Sequence, residues 1–133
     1  FVFQSFHLLP RLSALDNVMM PLEILGAKDA KEKALKALDG VGLSKRTGHV
    51  PHQLSGGEKQ RVAIARAMVK APSILFADEP TGNLDQSSTD NILELLLGIN
   101  KQTKTTLVVV THDQQLASRS DMVFELQEGK LKC

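Results

Sequence analysis

The chain has no tryptophan, no tyrosine and a single cysteine in 133 residues. One thiol, Cys133 at the last position, excludes an internal disulfide and suits a reducing compartment. Long hydrophobic runs are missing as well. The longest unbroken apolar stretches are four residues, far short of the roughly 20 that cross a bilayer, so any membrane role must come through a partner. Charge of one sign is not in excess: 16 Lys and Arg against 15 Asp and Glu leave a net +1. That balance lacks the basic footprint of a nucleic-acid-binding surface. There is no internal repeat, no low-complexity tract, no initiating Met and no signal-peptide pattern. The start, Phe1-Val2-Phe3-Gln4, opens on strand-like residues, and the chain reads as one cut within a domain. Its length nonetheless allows a single core.

What is present divides into a helical first half and an α/β second half. Residues 1–3 look like the tail of a strand, and Leu8-Leu9-Pro10 marks a loop. From Ser13 the pattern turns helical: Leu15, Val18, Met19 and Leu22 share one face, Ser13 is a plausible cap, and Pro21 predicts a break or kink. Gly26 ends that segment. Asp29 to Asp39 reads as an amphipathic helix with Ala34, Leu35 and Leu38 inward and its lysines solvated. A turn near 44–48 leads to Pro51, and Ser55 with Glu58 then stand in the spacing of a capping box. That helix runs through Val62, Ile64, Ala65, Met68 and Val69, with Pro72 at its exit. Ile74–Ala77 and Leu107–Val110 are continuously apolar, which predicts parallel strands buried on both faces. Ile92, Leu95, Leu96 and Ile99 form the inner stripe of the helix between them. A short helix near 114–118, a strand over Met122–Leu126 and a hairpin turn at Glu128-Gly129-Lys130 complete the pattern.

Several positions could carry chemistry, and each has a plain structural alternative. Ser55-Gly56-Gly57 is either an ordinary capped helix start or an anion site, where absent side chains let backbone N–H groups approach a ligand at a helix N-terminus. Asp78-Glu79 stands where an apolar strand runs out, the end at which α/β sheets bind ligands, although adjacent acids also open ordinary loops. His112 follows the next strand in the same way. His7, His49 and His52 invite structural explanations, with His52 the least settled of the three. Gln4 ends the first strand, and Asp85 suits an N-cap.

Taken in order, these segments resemble the ATPase subunit of ATP-binding-cassette (ABC) transporters over essentially the whole chain. Leu54-Ser55-Gly56-Gly57-Glu58-Lys59-Gln60-Arg61 is similar to the family's signature motif, Ile74–Glu79 to Walker B and its following glutamate, and Asn83-Leu84-Asp85 to the D-loop. Val109-Val110-Thr111-His112-Asp113 is similar to the switch-histidine segment, and Phe3-Gln4-Ser5-Phe6 to the Q-loop. The resemblance implies ATP and Mg²⁺ as cofactors. It assigns the metal to Asp78 and Gln4 and water activation to Glu79 as catalytic base, with His112 beside it. Ser55, Gly56 and Gly57 would contact the γ-phosphate of ATP bound to an opposite subunit, and Asp85 would cross the interface of that head-to-tail dimer. The implied fold is the α/β P-loop NTPase fold in part. Residues 1–10 would hold the strand end and Q-loop, 11–72 the helical signature subdomain, and 73–133 the C-terminal part of the parallel core with a terminal β-hairpin. Phe-Ala-Asp-Glu-Pro-Thr-Gly-Asn-Leu-Asp at 76–85 and the Phe-Gln-Ser-Phe start look most like the lipoprotein-release and macrolide-export subgroup. Its members serve transmembrane permeases, which implies a cytoplasmic chain held peripherally at the inner face of the cytoplasmic membrane, with no nucleic acid partner.

One departure is large. No Gly-x-x-x-x-Gly-Lys-Ser/Thr loop occurs anywhere in the 133 residues. The Walker A cradle, its Lys and the adenine-stacking aromatic are therefore missing, and the chain by itself is expected to be inactive. In the family fold the Walker A strand would lie beside the His112 strand, so an exposed sheet edge is expected there. Two other readings stay open. A soluble ABC-type ATPase acting on ribosomes or DNA is one, although the 50 residues between Gln4 and Ser55 hold no sustained heptads for a long coiled coil. The other is a non-catalytic chain that donates only its signature motif.

Overall fold

Side-chain caps set three of the helix starts. In the computed structural model, which describes residues 1–132, helix α1 (Ala14–Ile24) opens with Ser13 and Asp16 in a reciprocal capping box. Cys133, on which the redox reading rests, lies outside the described residues. Helix α1 does not break at Pro21. The ring removes the donor that would reach the Asn17 carbonyl, yet the helix runs on to Ile24 and stops at Gly26. There a left-handed glycine (φ +70°) lets the Ala27 N–H reach back to the Leu22 carbonyl. Helix α2 (Ala30–Gly40) ends in the same way at Gly42, with Leu43 N–H bonded to Leu38. Its buried stripe is Ala30, Ala34 and Leu38. Leu35, expected inward, lies one step off that i, i+4, i+8 row and is exposed.

Helix α3 (Gly56–Met68) packs on α1 and α2, and Ala14, Val18, Ala34, Leu38, Leu43, Leu54, Val62 and Ala65 form the helical core. A second core lies where α3 and α4 (Gln86–Thr103) cover one face of a three-stranded parallel sheet. The sheet order is β1 (Val2–Phe3), β2 (Ile74–Asp78), β3 (Thr106–Val110), with Phe3 opposite Asp78 and Asp78 opposite Val110. Among the described residues β3 is therefore a sheet edge. Val2, Leu75 and Ala77 are buried against Ile64, Ile92 and Leu96.

The other face corrects the expectation of strands buried on both sides. Ile74, Phe76, Val108 and Val110 alternate with the buried set and are 40–60% exposed. Phe1 stacks on Phe76 with ring centroids 5.0 Å apart. A continuous apolar run records that both faces of a strand are apolar; it does not supply the element that covers the second one. Past β3 come α5 (Gln114–Ser118) and an antiparallel hairpin, β4 (Glu125–Gln127) and β5 (Lys130–Lys132). Its two-residue turn, Glu128-Gly129, has positive φ at both positions, as a tight hairpin requires. β4 begins at Glu125 and not at Met122, and Met122 to Phe124 are exposed.

The join between loop and helices rests on one buried amide. Asn17 is fully buried; its Oδ1 accepts from Leu9 N–H (2.8 Å), and its Nδ2 donates to the Leu9, Leu12 and Ser13 carbonyls. Asn17→Ala should remove these bonds and strand several backbone groups, destabilising the chain by about 3 kcal/mol. Urea denaturation measures this, and a loss below about 1 kcal/mol would mean the amide holds nothing that water or relaxation does not replace.

Candidate active site

The C-terminal ends of β2 and β3 bring the acids and the histidine together. Asp78 is the last residue of β2, in register with Phe3 and Val110 on its two neighbours. Directly after it the backbone turns sharply: Glu79 has φ +44°, a left-handed value that residues with a Cβ resist by roughly 1–2 kcal/mol. Its N–H still bonds the Val110 carbonyl at 2.9 Å, so the turn is anchored to the neighbouring strand.

The turn delivers the Glu79 carboxylate to the end of β3. Its Oε1 lies 2.7 Å from His112 Nδ1, and its Oε2 is 3.5 Å from Thr111 Oγ1. A carboxylate only accepts, so Nδ1 carries the proton and Nε2 faces away from Glu79. The Glu79 hydrogen bond, then the charges of Glu79 and Asp113, raise the His112 pKa above its usual value near 6.5. The Glu79 side chain is 24% exposed and that of His112 86%. The pair thus joins a half-sheltered carboxylate to an open histidine.

Gln4 joins the turn that follows β2. Its Nε2 donates to Asn83 Oδ1 (3.3 Å), while Asn83 Nδ2 donates to the Gln4 carbonyl (3.2 Å). The side chain lies across Gly82, where a Cβ would come within 2.5 Å of Gln4 Nε2. Asp85 caps α4, with Oδ1 accepting from Ser88 N–H at 2.7 Å, and these bonds lower its pKa. Ser55 and Glu58 close the expected capping box at the start of α3. Added Cβ atoms would meet Leu84 Cδ2 at 3.2 Å from Gly56, and Ser88 Oγ at 3.0 Å from Gly57. The glycine pair thus suits close packing against Leu84 and the start of α4, with Gly57 buried there.

Of the expected residues, Glu79 and His112 are brought into direct contact, Asp78 adjoins them in sequence and register, and Gln4 joins the Gly82-Asn83 turn. The signature glycines pack against that same turn's helix. Three residues escaped the sequence reading. Gln60, inside the signature block, is fully buried and donates from Nε2 to the carbonyls of Pro80 (2.7 Å) and Phe3 (3.4 Å). Arg66 and Gly82 are the others. Their only sequence signal is their nearness to a motif.

Among the described residues no group of three or more His, Cys, Asp and Glu gathers as a metal cage. The oxygens at adjacent strand ends, Asp78 with Gln4 nearby, instead suit a cation such as Mg²⁺ that takes most ligands from phosphate and water. Backbone N–H groups at Gly56 and Gly57 suit a phosphate. The donor set fits the expected cofactors.

The histidine's shift carries a sign. Because its folded pKa is raised, the stabilisation from the Glu79–His112 pair is fully present below the unfolded value near 6.5 and is lost as pH rises through the folded value. An imidazole titration by NMR should place His112 above the usual value near 6.5, and Glu79→Gln should return it toward that value. An unshifted His112 would mean that the bond does not persist in solution.

The ABC transporter family pattern matches residues 1–82. The "Lipoprotein-releasing system ATP-binding protein LolD" of Legionella pneumophila (strain Paris) is 56% identical over 133 residues, which cover 98% of this chain and 59% of that protein. The protein of the same description from Xanthomonas euvesicatoria pv. vesicatoria (strain 85-10) is 52% identical, covering 99% of this chain and 55% of the relative. The dimeric post-hydrolysis structure of the ATP-binding cassette MJ0796, bound to ADP and Pi, superposes with a TM-score of 0.84 at 40% identity. It matches 100% of this chain and 60% of that one. The chain thus spans less than two thirds of the length of these relatives. By family match, sequence identity and fold together, the chain belongs to the ABC transporter family.

Proposed function

We infer that the chain is the C-terminal part of the ATP-hydrolysing subunit of an ABC transporter of the lipoprotein-release type. The observation that carries this reading is the Glu79–His112 hydrogen bond at the ends of two parallel strands, made possible by the left-handed backbone of Glu79. Residues 1–10 serve as strand end and Q-loop, 11–72 as the signature subdomain, and 73–133 as the hydrolytic half of the core. The relatives named as lipoprotein-releasing ATP-binding proteins support the subgroup.

In this mechanism Glu79 orients the attacking water and draws its proton as the water oxygen bonds to the γ-phosphorus and the bond to ADP breaks. As the imidazolium that its raised pKa favours, His112 holds the Glu79 carboxylate through Nδ1–H and donates Nε2–H to a phosphate oxygen. Asp78 would hold the cation, and Gln4 would join it on leaving Asn83. When bound, Mg²⁺ would supply neutralisation of phosphate charge. Ser55, Gly56 and Gly57 offer their donors to ATP on a second copy arranged head to tail, and Asp85 lies at that interface. The relative solved as a dimer supports this arrangement. No helix among the described residues is long and apolar enough to cross a membrane. The chain works from the cytoplasmic face, docked on a transmembrane permease through the loop after Gln4.

In the complete subunit Glu79→Gln keeps the side-chain shape and removes the base. Steady-state turnover should fall by about 10²–10⁴-fold while ATP binding survives. Near-normal turnover would take Glu79, and the reading built on it, out of the chemistry.

A further inference from the structure

Arg66 projects from α3, the helix that begins at the signature glycines, toward the loop after β1. Its guanidinium donates from Nη1 to the His7 carbonyl (2.7 Å) and from Nη2 to the Phe6 carbonyl (2.9 Å). These two carbonyls belong to consecutive left-handed residues, Phe6 at φ +61° and His7 at φ +48°. Two side-chain-bearing residues in a row resist that conformation. A forked, charge-assisted pair of bonds is the strongest restraint a single side chain can place on it. Either end of the loop is fixed as well: Gln60, also on α3, holds the Phe3 carbonyl, and Asn17 of α1 holds Leu9. Between those two anchors Arg66 is the side chain that grips the strained pair.

We propose that Arg66 is a positioning residue that ties the loop after Gln4 to the signature helix, so that a load on the loop moves the Ser55-Gly56-Gly57 turn. The proposal rests on the permease-coupled function above. The reasoning is mechanical. An α-helix is stiff along its axis, and Arg66 stands ten residues from Gly56 on the same unbroken helix. A partner pressing on Phe6–Leu9 therefore acts on the phosphate-facing end of α3 through two hydrogen bonds. Lysine keeps the charge and has donors enough for both carbonyls, but it lacks the rigid planar fork that fixes them in one geometry.

The test uses the complete subunit with its permease, comparing wild type, Arg66→Lys and Arg66→Gln. Glutamine removes the charge and the fork together while leaving the loop's own residues, and so the docking surface, unchanged. Both variants should speed amide exchange over residues 6–9 by about tenfold or more. Both should lose permease-stimulated turnover while basal turnover and KM for ATP stay within about twofold of wild type. A purely structural role would instead lower melting temperature and basal turnover together, and that result overturns the proposal. So does a well-folded variant that keeps its stimulation. If wild type itself shows no permease stimulation, the functional reading fails and the coupling with it. Unchanged exchange over residues 6–9 in a stimulated enzyme sinks the Arg66 link alone.

Discussion

The geometry depends on one buried amide more than on any charged group. Gln60, fully buried on α3, ties the Phe3 and Pro80 carbonyls to the signature helix. Phe3 ends β1 and Pro80 follows Glu79, so a single side chain sets the helix against both strand ends that carry chemistry. Among the described residues its Oε1 is buried without a hydrogen-bond partner, and burial of this kind costs about 1–3 kcal/mol. The Nε2 bonds must offset that cost, which makes the amide a constraint on position more than a source of stability.

Around this joint the acids are arranged by backbone, not by charge pairing. Asp78 owes its place to the register of three parallel strands, and Glu79 to a left-handed turn braced on Val110. The ion pairs elsewhere, such as Lys33–Asp29 and Arg119–Glu94, are on the surface and contribute little. The site is thus built by strand pairing and two packed glycines, and its electrostatics follow from that scaffold. Gly82 shows the same logic, since only a missing Cβ lets Gln4 lie on the turn before Asp85.

Much of this was legible in the sequence because local rules act over short spans. The capping boxes at Ser13 and Ser55, the stripe of Ile92 and Leu96, and the strand–acid junction at Asp78 each depend on neighbours within a few residues. What escaped was long-range. Arg66 meets Phe6 across 60 positions and Gln60 meets Phe3 across 57, and no periodicity encodes such contacts. Leu35 misled because an apolar residue beside a buried row looks like a member of it. The exposed Phe76 and Val108 misled for a different reason: the strands are apolar on both faces, and this chain covers one. Motif order, by contrast, located Glu79 and His112 before any geometry joined them.

The central claim is that these residues hold the hydrolytic and signature parts of a nucleotide site but no phosphate cradle, since the chain contains no Gly-x-x-x-x-Gly-Lys-Ser/Thr loop. Gln4, Asp78 and the glycine donors alone offer weak, scattered contacts, whereas a cradle of backbone N–H groups with its Lys positions the phosphates. Calorimetric titration of the 133-residue chain with Mg-ATP decides the matter, set beside the same residues preceded by a P-loop segment in family order. The account predicts an affinity in about the millimolar range for the chain alone, near −4 kcal/mol, and about micromolar binding with the segment restored. Micromolar binding by the chain alone would contradict it.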